Sequence, residues 1–442
     1  MKTWKTIIAL LLISAALVAI LPIGMLVQTV HASTSSSPPT AYWYKIFGGP
    51  GDDEASAVIQ TSDGGYAIIG SENSFGAGSY DAWLVKTDSL GNILWNKTYG
   101  GVGDDEANSI IQTSDGGYAI AGYTNTSSSS GTDDGWLVKT DASGNMLWNK
   151  TYGGSGMDYL YSVVQTSDGG YALAGATTSF SAGGIHFWLV RVDSKGNMLW
   201  NQTYGGKGND EAFSAVQTSD GGYTLAGITS SFGAGGQDFW FVKTDLAGVM
   251  QWNKTYGGAS DDEAFSAVQT SDGGYALVGL TTSFGSGNDL AWLVKTDAEG
   301  NMLWNQTYGG TNYNVGSAVV QTSDGGYAIA GTTSSFGAGD KDAWLIRTDS
   351  AGAMLWNQTY GGSKHDAAFS VVQTSDGGYA LAGTTTSFGS GSFDYYVVKT
   401  AGSASSSPSS NTQIILYVVI AIVAILIASV ATAIILKRKR QA

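Results

Sequence analysis

The sequence predicts an all-β protein built from seven four-stranded units, and three observations support this fold class. First, Gln-Thr-Ser-Asp-Gly-Gly-Tyr occurs seven times, at intervals of 52 or 53 residues. Second, short segments rich in Val, Tyr, Trp and Thr alternate with Gly-rich turns, without helical periodicity in any repeat. Third, the repeat is cut out of phase at its two ends, as expected when one terminal strand closes a ring. Together these observations predict a seven-bladed β-propeller.

The fifth repeat illustrates the four strands predicted in each unit. They cover residues 263–270, 274–279, 291–296 and 302–308. Asp-Gly-Gly separates the first two and favours a hairpin turn, because Gly adopts positive φ without a Cβ clash. Gly279 and its equivalents are predicted to end the second strand.

The two ends of the repeat region predict how the ring closes. Residues 43–49 match only the last strand of a unit, and the seventh unit ends at 396–400 without that strand. The N-terminal strand is therefore expected to complete the last blade, which would otherwise lack its outer strand and leave the third strand with an unpaired edge.

Side-chain size changes along each repeat as wedge-shaped blades require. The position three residues before each Gln holds only Ala57, Ser109, Ser162, Ser214, Ser266, Ala318 and Ser370. The third strand carries Trp83, Trp136, Trp188, Trp240, Trp292 and Trp344, with Tyr396 in the seventh unit. Small residues near the axis and large rings farther out are predicted to pack neighbouring blades together.

The segments outside the repeats indicate export and membrane anchoring. Residues 1–32 are predicted to be a signal peptide or signal anchor, 33–40 a Ser/Pro-rich linker and 401–413 a Ser-rich stalk. Residues 414–436 form an uncharged apolar stretch long enough to span a bilayer, followed by a basic tail at 437–442. We therefore expect a cell-membrane protein with an extracellular propeller at 41–400, a C-terminal transmembrane helix and a cytoplasmic C-terminus. It is single-pass if the signal is cleaved and two-pass if it is not.

Charge and composition exclude several classes of partner. Six of the 21 Lys and Arg residues lie in the end segments, so 15 remain against 36 Asp and Glu. A surface this acidic repels nucleic acid. The chain has no Cys and three His, which excludes disulfides and thiolate metal sites. We expect a monomeric propeller without a cofactor.

The repeat resembles those of bacterial and archaeal secreted β-propeller proteins. The resemblance is carried by QTSDGGY, SFGAG-x-x-DAWLVKTD and GNMLWNQTYGG, and it covers residues 41–400. It implies the fold but no common activity. Asp297-x-x-Gly300-x-x-x-Trp304 is also similar to the tryptophan-docking motif of quinoprotein dehydrogenase propellers. Those enzymes typically have eight blades, and many carry a vicinal disulfide, so here the motif is interpreted as blade packing.

An acidic cluster precedes the first strand of most repeats. Its middle position is held by Asp53, Asp105, Asp158, Asp210, Asp262, Asn314 and Asp366. Because each loop enters an inner strand, these side chains are predicted to form a ring at the channel mouth. Such a ring would bind a cation or a cationic ligand, with Ca²⁺ as the candidate ion. The alternative is that each residue caps its own turn or pairs with a nearby Lys.

Departures from the repeat predict a second candidate site. Tyr313, Lys364 and His365 occupy the cluster in the neighbouring sixth and seventh blades. They are expected to line one side of an asymmetric pocket, since function on a symmetric scaffold usually breaks its symmetry. Unselected loop variation is the alternative.

Asn-Xaa-Thr sequons recur in the outer strands. Six lie there and one in a loop, at Asn96, Asn149, Asn201, Asn253, Asn305, Asn357 and, in the loop, Asn125. They are candidates for N-glycosylation of an exported protein. The alternative is that Asn and Thr simply suit an exposed edge strand.

Two functions remain after these observations. The first is a membrane-anchored module for binding, adhesion or scaffolding at the cell surface, with a glycan, a protein or a cation as ligand. The second is an extracellular carbohydrate-active enzyme, a hydrolase or lyase with its site at the channel mouth. A glycosidase normally needs two carboxylates at a defined separation, which would break the repeat symmetry. The carboxylates here follow the repeat, and this favours binding.

Overall fold

The structure, a computed structural model, describes residues 38–125, 132–181, 183–285 and 288–402. Every long regular element within these ranges is a β-strand. No helix in the described ranges is long and apolar enough to cross a membrane. The predicted signal at 1–32 and the predicted span at 414–436 lie outside the described residues.

The strands fall into four sets according to their position in a blade. The innermost strands are β2 (Asp53–Gln60), β6 (Asp105–Gln112), β10 (Asp158–Gln165), β14 (Asp210–Gln217), β18 (Asp262–Gln269), β22 (Asn314–Gln321) and β26 (Asp366–Gln373). The second strands are β3 (Tyr66–Glu72), β7 (Tyr118–Thr124), β11 (Tyr171–Thr177), β15 (Tyr223–Thr229), β19 (Tyr275–Thr281), β23 (Tyr327–Thr333) and β27 (Tyr379–Thr385). The third strands are β4 (Asp81–Thr87), β8 (Asp134–Thr140), β12 (His186–Val192), β16 (Asp238–Thr244), β20 (Leu290–Thr296), β24 (Asp342–Thr348) and β28 (Asp394–Thr400). The outermost strands are β5 (Ile93–Tyr99), β9 (Met146–Tyr152), β13 (Met198–Tyr204), β17 (Met250–Tyr256), β21 (Met302–Tyr308), β25 (Met354–Tyr360) and β1 (Ala41–Phe47).

These strands form seven antiparallel four-stranded sheets. Six sheets consist of four consecutive strands, such as β2-β3-β4-β5, and the seventh has the order β26-β27-β28-β1. The seven-bladed propeller, the four strands of each blade and closure by the N-terminal strand are therefore confirmed. β1 pairs with β28 from Ala41 opposite Thr400 to Phe47 opposite Tyr395.

One predicted strand end is wrong. Gly279 and its equivalents lie inside the second strand, which continues to Thr281 in the fifth blade. A Cβ on Gly279 would lie 1.7 Å from the carbonyl oxygen of Glu263 on the neighbouring strand. Gly is therefore required by a close approach of two backbones rather than by a turn.

Aromatic side chains fill the spaces between blades. The ring of Trp292 is buried 4.6 Å from that of Phe239 in the preceding blade. Farther out, Trp252 packs where a Cβ on Gly300 of the next blade would lie 2.7 Å from its ring. The hydroxyl of Tyr256 donates to the carbonyl of Gly300 at 2.6 Å. The Asp-x-x-Gly turn at Asp297 thus docks one blade on the next.

The repeated heptapeptide also ties the blades together near the axis. The Gln of each blade accepts a hydrogen bond from the Ser N–H in the preceding blade's copy, as between Ser271 N and Gln321 Oε1 at 2.8 Å. The same bond joins the last blade to the first, from Ser375 N to Gln60 Oε1 at 2.8 Å. The small-residue position adds further links, such as Ala215 N to Ser162 Oγ at 3.1 Å. Closure is thus stabilised on the inner and outer sides of the ring.

The Asp of the heptapeptide is paired with a buried cation in every blade. In the fifth blade, the ammonium of Lys295 lies 2.8 Å from Asp272 Oδ2, and the Lys side chain is 5% exposed. Burial acts to raise the pKa of Asp272, but hydrogen bonds from Lys295, Thr270 and the Gly274 N–H outweigh it and lower that pKa to about 2. These turns are structural, in agreement with their assignment to turn formation.

Candidate binding site in the central channel

A β-bulge on each innermost strand aims one side chain towards the axis. The register between the first and second strands shifts once per blade, for example between Ala212 and Ser214. The residues skipped by these shifts are Ser56, Asn108, Tyr161, Phe213, Phe265, Ser317 and Phe369. A bulge leaves its extra residue outside the hydrogen-bonded ladder and redirects its side chain.

Six of these seven residues line a single cavity of about 450 Å³ on the propeller axis. They are Asn108, Tyr161, Phe213, Phe265, Ser317 and Phe369. Their side chains are Asn, Tyr, Ser and, in three blades, Phe, although their backbone positions are equivalent. The cavity therefore breaks the repeat symmetry at one position of the inner strand, and its volume lies within the range of small-molecule sites.

One wall of the cavity is an arc of aromatic rings from the third, fourth and fifth blades. The ring centroids of Tyr161 and Phe213 are 5.1 Å apart, and those of Phe213 and Phe265 are 5.8 Å apart. Tyr159 stacks on Tyr161 with 15° between their planes. This wall presents a continuous apolar surface to the channel.

The opposite wall comes from the sixth and seventh blades and contains a cation and an imidazole. Tyr313, Lys341 and His365 all line the cavity. The Lys341 ammonium lies 4.2 Å from the centroid of the Tyr313 ring, a cation–π contact. Burial lowers the pKa of His365, and the charge of Lys341 lowers it further, against the opposing effect of Asp366 and Asp340. His365 is therefore neutral at neutral pH.

Four glutamates lie at the start of inner strands that contribute to the channel. They are the second residues of their strands, two positions before the bulged residue, and comprise Glu54, Glu106, Glu211 and Glu263. Burial raises the pKa of Glu211, and it raises that of Glu263, with added repulsion from Asp261, Asp289 and Glu211. The equivalent residues in the other blades are Tyr159, Val315 and Ala367. The carboxylates thus surround only part of the channel.

The seven residues predicted to form a ring at the channel mouth are all buried in the structure. Asp158 is fully buried and accepts hydrogen bonds from the Gly154 N–H at 2.9 Å, from Ser179 Oγ at 2.5 Å and from Thr177 Oγ1. Asp53, Asp105, Asp210, Asp262, Asn314 and Asp366 are likewise buried. The geometry matches the alternative in which each residue holds its own entry loop. In the described ranges no three His, Cys, Asp or Glu side chains are grouped to hold a metal ion.

The alternation of side chains along a strand explains why these residues are buried rather than exposed at the channel mouth. Consecutive side chains of a strand point to opposite faces, so Asp53 and Glu54 cannot both face the channel. The buried face takes the first residue of each strand, and the glutamate after it takes the other face.

Of the three residues predicted for the asymmetric pocket, two lie at this cavity and one does not. Tyr313 and His365 line the cavity, whereas Lys364 is exposed and its N–H donates to Ser387 Oγ at 3.0 Å. The cation of the cavity is Lys341, whose backbone pairs with that of His365 in an isolated bridge. The aromatic wall was missed from the sequence. The sequence signal for it is the variable position directly before the Ala or Ser of each inner strand, where Tyr161, Phe213 and Phe265 stand.

The sequon asparagines lie on the outermost strands, as expected, and each has a structural contact. Asn305 Oδ1 accepts a hydrogen bond from the Trp292 indole at 3.1 Å. The same contact occurs at Asn96, Asn149, Asn201, Asn253 and Asn357. In the loop, Asn125 Oδ1 accepts from the Asp104 N–H at 2.9 Å. The Asn305 side chain remains exposed, and its Nδ2 donates to Met302 Sδ at 3.4 Å.

Comparison with solved structures agrees with the fold. The chain is similar to the WD40 domain of Pan2 from Neurospora crassa, with a TM-score of 0.51 and 11% identity, over 81% of this chain and 96% of that one. It is also similar to Sqt1 from Chaetomium thermophilum, with a TM-score of 0.47 and 12% identity, over 78% of this chain and 82% of that one. The first likeness shows the β-propeller fold, and at this identity it shows the fold alone.

Sequence comparison leaves the family open. No protein-family model matches this chain. A stretch of 281 residues is 24% identical to the regulatory protein FlaEY of Caulobacter vibrioides, over 59% of this chain and 28% of that protein. The chain therefore spans less than a third of the length of that relative.

Proposed function

We propose that the protein is a membrane-anchored binding module at the cell surface, whose ligand enters the central cavity of an extracellular propeller. The observation that carries this proposal is the 450 Å³ cavity lined by bulged residues of six blades. Closure of the seven-bladed ring would be possible with small side chains at these positions. Large aromatic residues occur there in four blades and leave an open space between them, which supports recognition rather than packing alone.

The cavity is tested by filling it. Ser317 lies on the wall and has little bulk, so Ser317→Trp places an indole in the open space without altering the bulge. Thermal shifts of the purified full chain are measured with neutral sugars, organic cations and organic anions. At least one class should raise the melting temperature of the native chain and not of Ser317→Trp. Shifts that are equal in the two proteins would place binding outside the cavity.

The membrane orientation is tested separately. With a C-terminal tag after Ala442, protease added to intact cells should remove the propeller and leave the tag protected. A tag that is cleaved from outside would contradict the cytoplasmic C-terminus and, with it, the extracellular propeller.

An extracellular glycan hydrolase or lyase is the second candidate. The observation in its favour is that burial raises the pKa of Glu106 and Glu211, a shift that suits a general acid. Turnover of a polysaccharide that is abolished by Glu211→Gln, with unchanged melting temperature, would establish it. Binding without turnover in the same assay would favour the binding module.

A further inference from the structure

We propose that the cavity selects an organic cation with an apolar body, such as a quaternary ammonium group. This inference rests on the proposed binding function and names the ligand class of the same site. It is carried by the aromatic arc of Tyr161, Phe213 and Phe265, which lines the cavity. Glu211 and Glu263 stand two residues before Phe213 and Phe265 on the same strands, outside the cavity lining itself.

The aromatic arc offers π-faces without a cation of its own. The negative face of an aromatic ring attracts ammonium groups, most strongly where water is excluded. Lys341 already shows this contact on the opposite wall, with its ammonium 4.2 Å from the Tyr313 centroid. Among the residues that the structure describes, no Lys or Arg lies over the rings of Phe213 or Phe265. That wall is therefore open to a cation brought by a ligand.

Carboxylates next to this wall set the sign of the charge it accepts. Glu211 and Glu263 lie two residues before Phe213 and Phe265 on the same strands. They are close enough for Glu211 to raise the pKa of Glu263 by repulsion. A ligand cation near both would relieve that repulsion, so its binding gains from the carboxylates as well as from the rings.

The positive charge of Lys341 repels a ligand cation on its own side of the cavity. It therefore restricts the cationic group to the wall formed by the third, fourth and fifth blades. The apolar part of the ligand then faces Phe369 and Val315 across the cavity. Removing the charge of Lys341 should tighten cation binding, whereas it should weaken binding of an anion.

Three soluble probes of nearly equal shape separate charge from size. Choline carries a trimethylammonium group, 3,3-dimethylbutan-1-ol is its neutral carbon analogue, and 3,3-dimethylbutyrate is an anion with the same bulky end. Calorimetry with the full chain should show choline binding at least about tenfold more tightly than the alcohol, which corresponds to about 1.4 kcal/mol. The anion should bind most weakly.

Conservative variants assign that difference to the wall. Phe213→Leu keeps an apolar side chain but removes a π-face, and Glu211→Gln removes a charge at constant shape. Each should weaken choline by about three- to tenfold and leave the alcohol unchanged. Phe284→Leu on an outer loop and Glu299→Gln in an exposed turn are the matched controls and should change neither affinity. Lys341→Gln should bind choline more tightly than the native chain.

The outcomes distinguish this inference from the proposed function. If the Ser317→Trp comparison detects a cavity ligand but the alcohol or the anion binds as well as choline, the cation preference is wrong and the binding module stands. The same holds if no probe binds while neutral sugars do. If no compound distinguishes the native chain from Ser317→Trp, the cavity function fails and this inference fails with it.

Discussion

In the buried entry-loop network, Glu72 stands where the other six blades have Thr, and replacing it by Thr should stabilise the protein. In the third blade, Thr177 donates to Asp158 and accepts from the N–H groups of the next turn, as between Ser179 N and Thr177 Oγ1 at 3.1 Å. Glu72 accepts from the Ser74 and Phe75 N–H groups in the same way, at 2.7 and 2.6 Å. An ionised Glu72 has no proton to donate.

The cost in the first blade follows from this difference. Asp53 Oδ1 and Glu72 Oε1 are buried and have no hydrogen-bond partner. A buried polar group without a partner costs about 1–3 kcal/mol. Glu72→Thr restores the donor and removes one of two neighbouring carboxylates, but the smaller side chain leaves a small gap that costs about 1 kcal/mol. The expected net gain is about 1–2 kcal/mol at neutral pH, or roughly 2 °C for a domain of this size.

The stability gained by Glu72→Thr should depend on pH in a direction that follows from the pKa of Glu72. Burial raises the pKa of Glu72, and Asp53 and Asp81 raise it further, against hydrogen bonds from Phe75 and Ser74. A carboxyl whose folded-state pKa is raised destabilises the fold above that pKa, and the penalty disappears as pH falls through it towards the ordinary Glu pKa of 4.5. The advantage of Glu72→Thr should therefore be largest at pH 7 and shrink near pH 4.

Urea unfolding of the purified full chain, followed by tryptophan fluorescence, measures the effect. Glu299→Gln removes one exposed charge and serves as the control, with little expected change. Thr281→Glu introduces the same mismatch into the fifth blade and should destabilise it, because Thr281 is buried and donates to Asp262. The reasoning is refuted if Glu72→Thr is no more stable than the native chain at pH 7, or if its gain does not decline towards pH 4.

Three further predictions concern the turn, the closure and the outer strands. Asp272→Asn leaves the buried Lys295 ammonium without its counter-charge and should lower the free energy of unfolding by about 1–3 kcal/mol, a cost moderated because Asp272 itself is exposed. The cost should fade as pH drops below 3.8 through about 2, where Asp272 is protonated in the native chain. Equal stability of the variant and the native chain at pH 7 would contradict this. Deleting residues 41–47 removes β1 and the contact of Trp43 with Tyr66, and should lower stability by more than ~3 kcal/mol; an unchanged urea midpoint would rule out closure by β1. If the host has N-glycosylation, the intact mass of the native protein should exceed that of the polypeptide, and the mass of Asn305→Gln should be lower by one glycan. A mass equal to that of the bare polypeptide would show that the sequon serves only its contact with Trp292.

Much of the fold was predictable because it is encoded locally and repeated. Seven copies of Asp-Gly-Gly specify seven hairpins, since only Gly adopts the φ of +85° found at Gly273 without strain. The out-of-phase ends predicted that β1 would pair with β28, because the missing strand of the last unit has one matching segment in the chain. The small residue of the inner strand predicted crowding at the axis, where Ser162 contacts the next blade.

What the tertiary structure alone decided is which side chains share a space. The sequence placed Asp53 and Glu54 side by side, but only the register of β2 against β3 shows that the first is buried. Phe213 and Phe265 are 52 residues apart, and they meet because two bulges aim them at one axis. Lys341, and not the predicted Lys364, lines the cavity because a loop of the sixth blade reaches the seventh. Such contacts depend on how strands from different repeats are arranged around the ring, and a local pattern does not contain that arrangement.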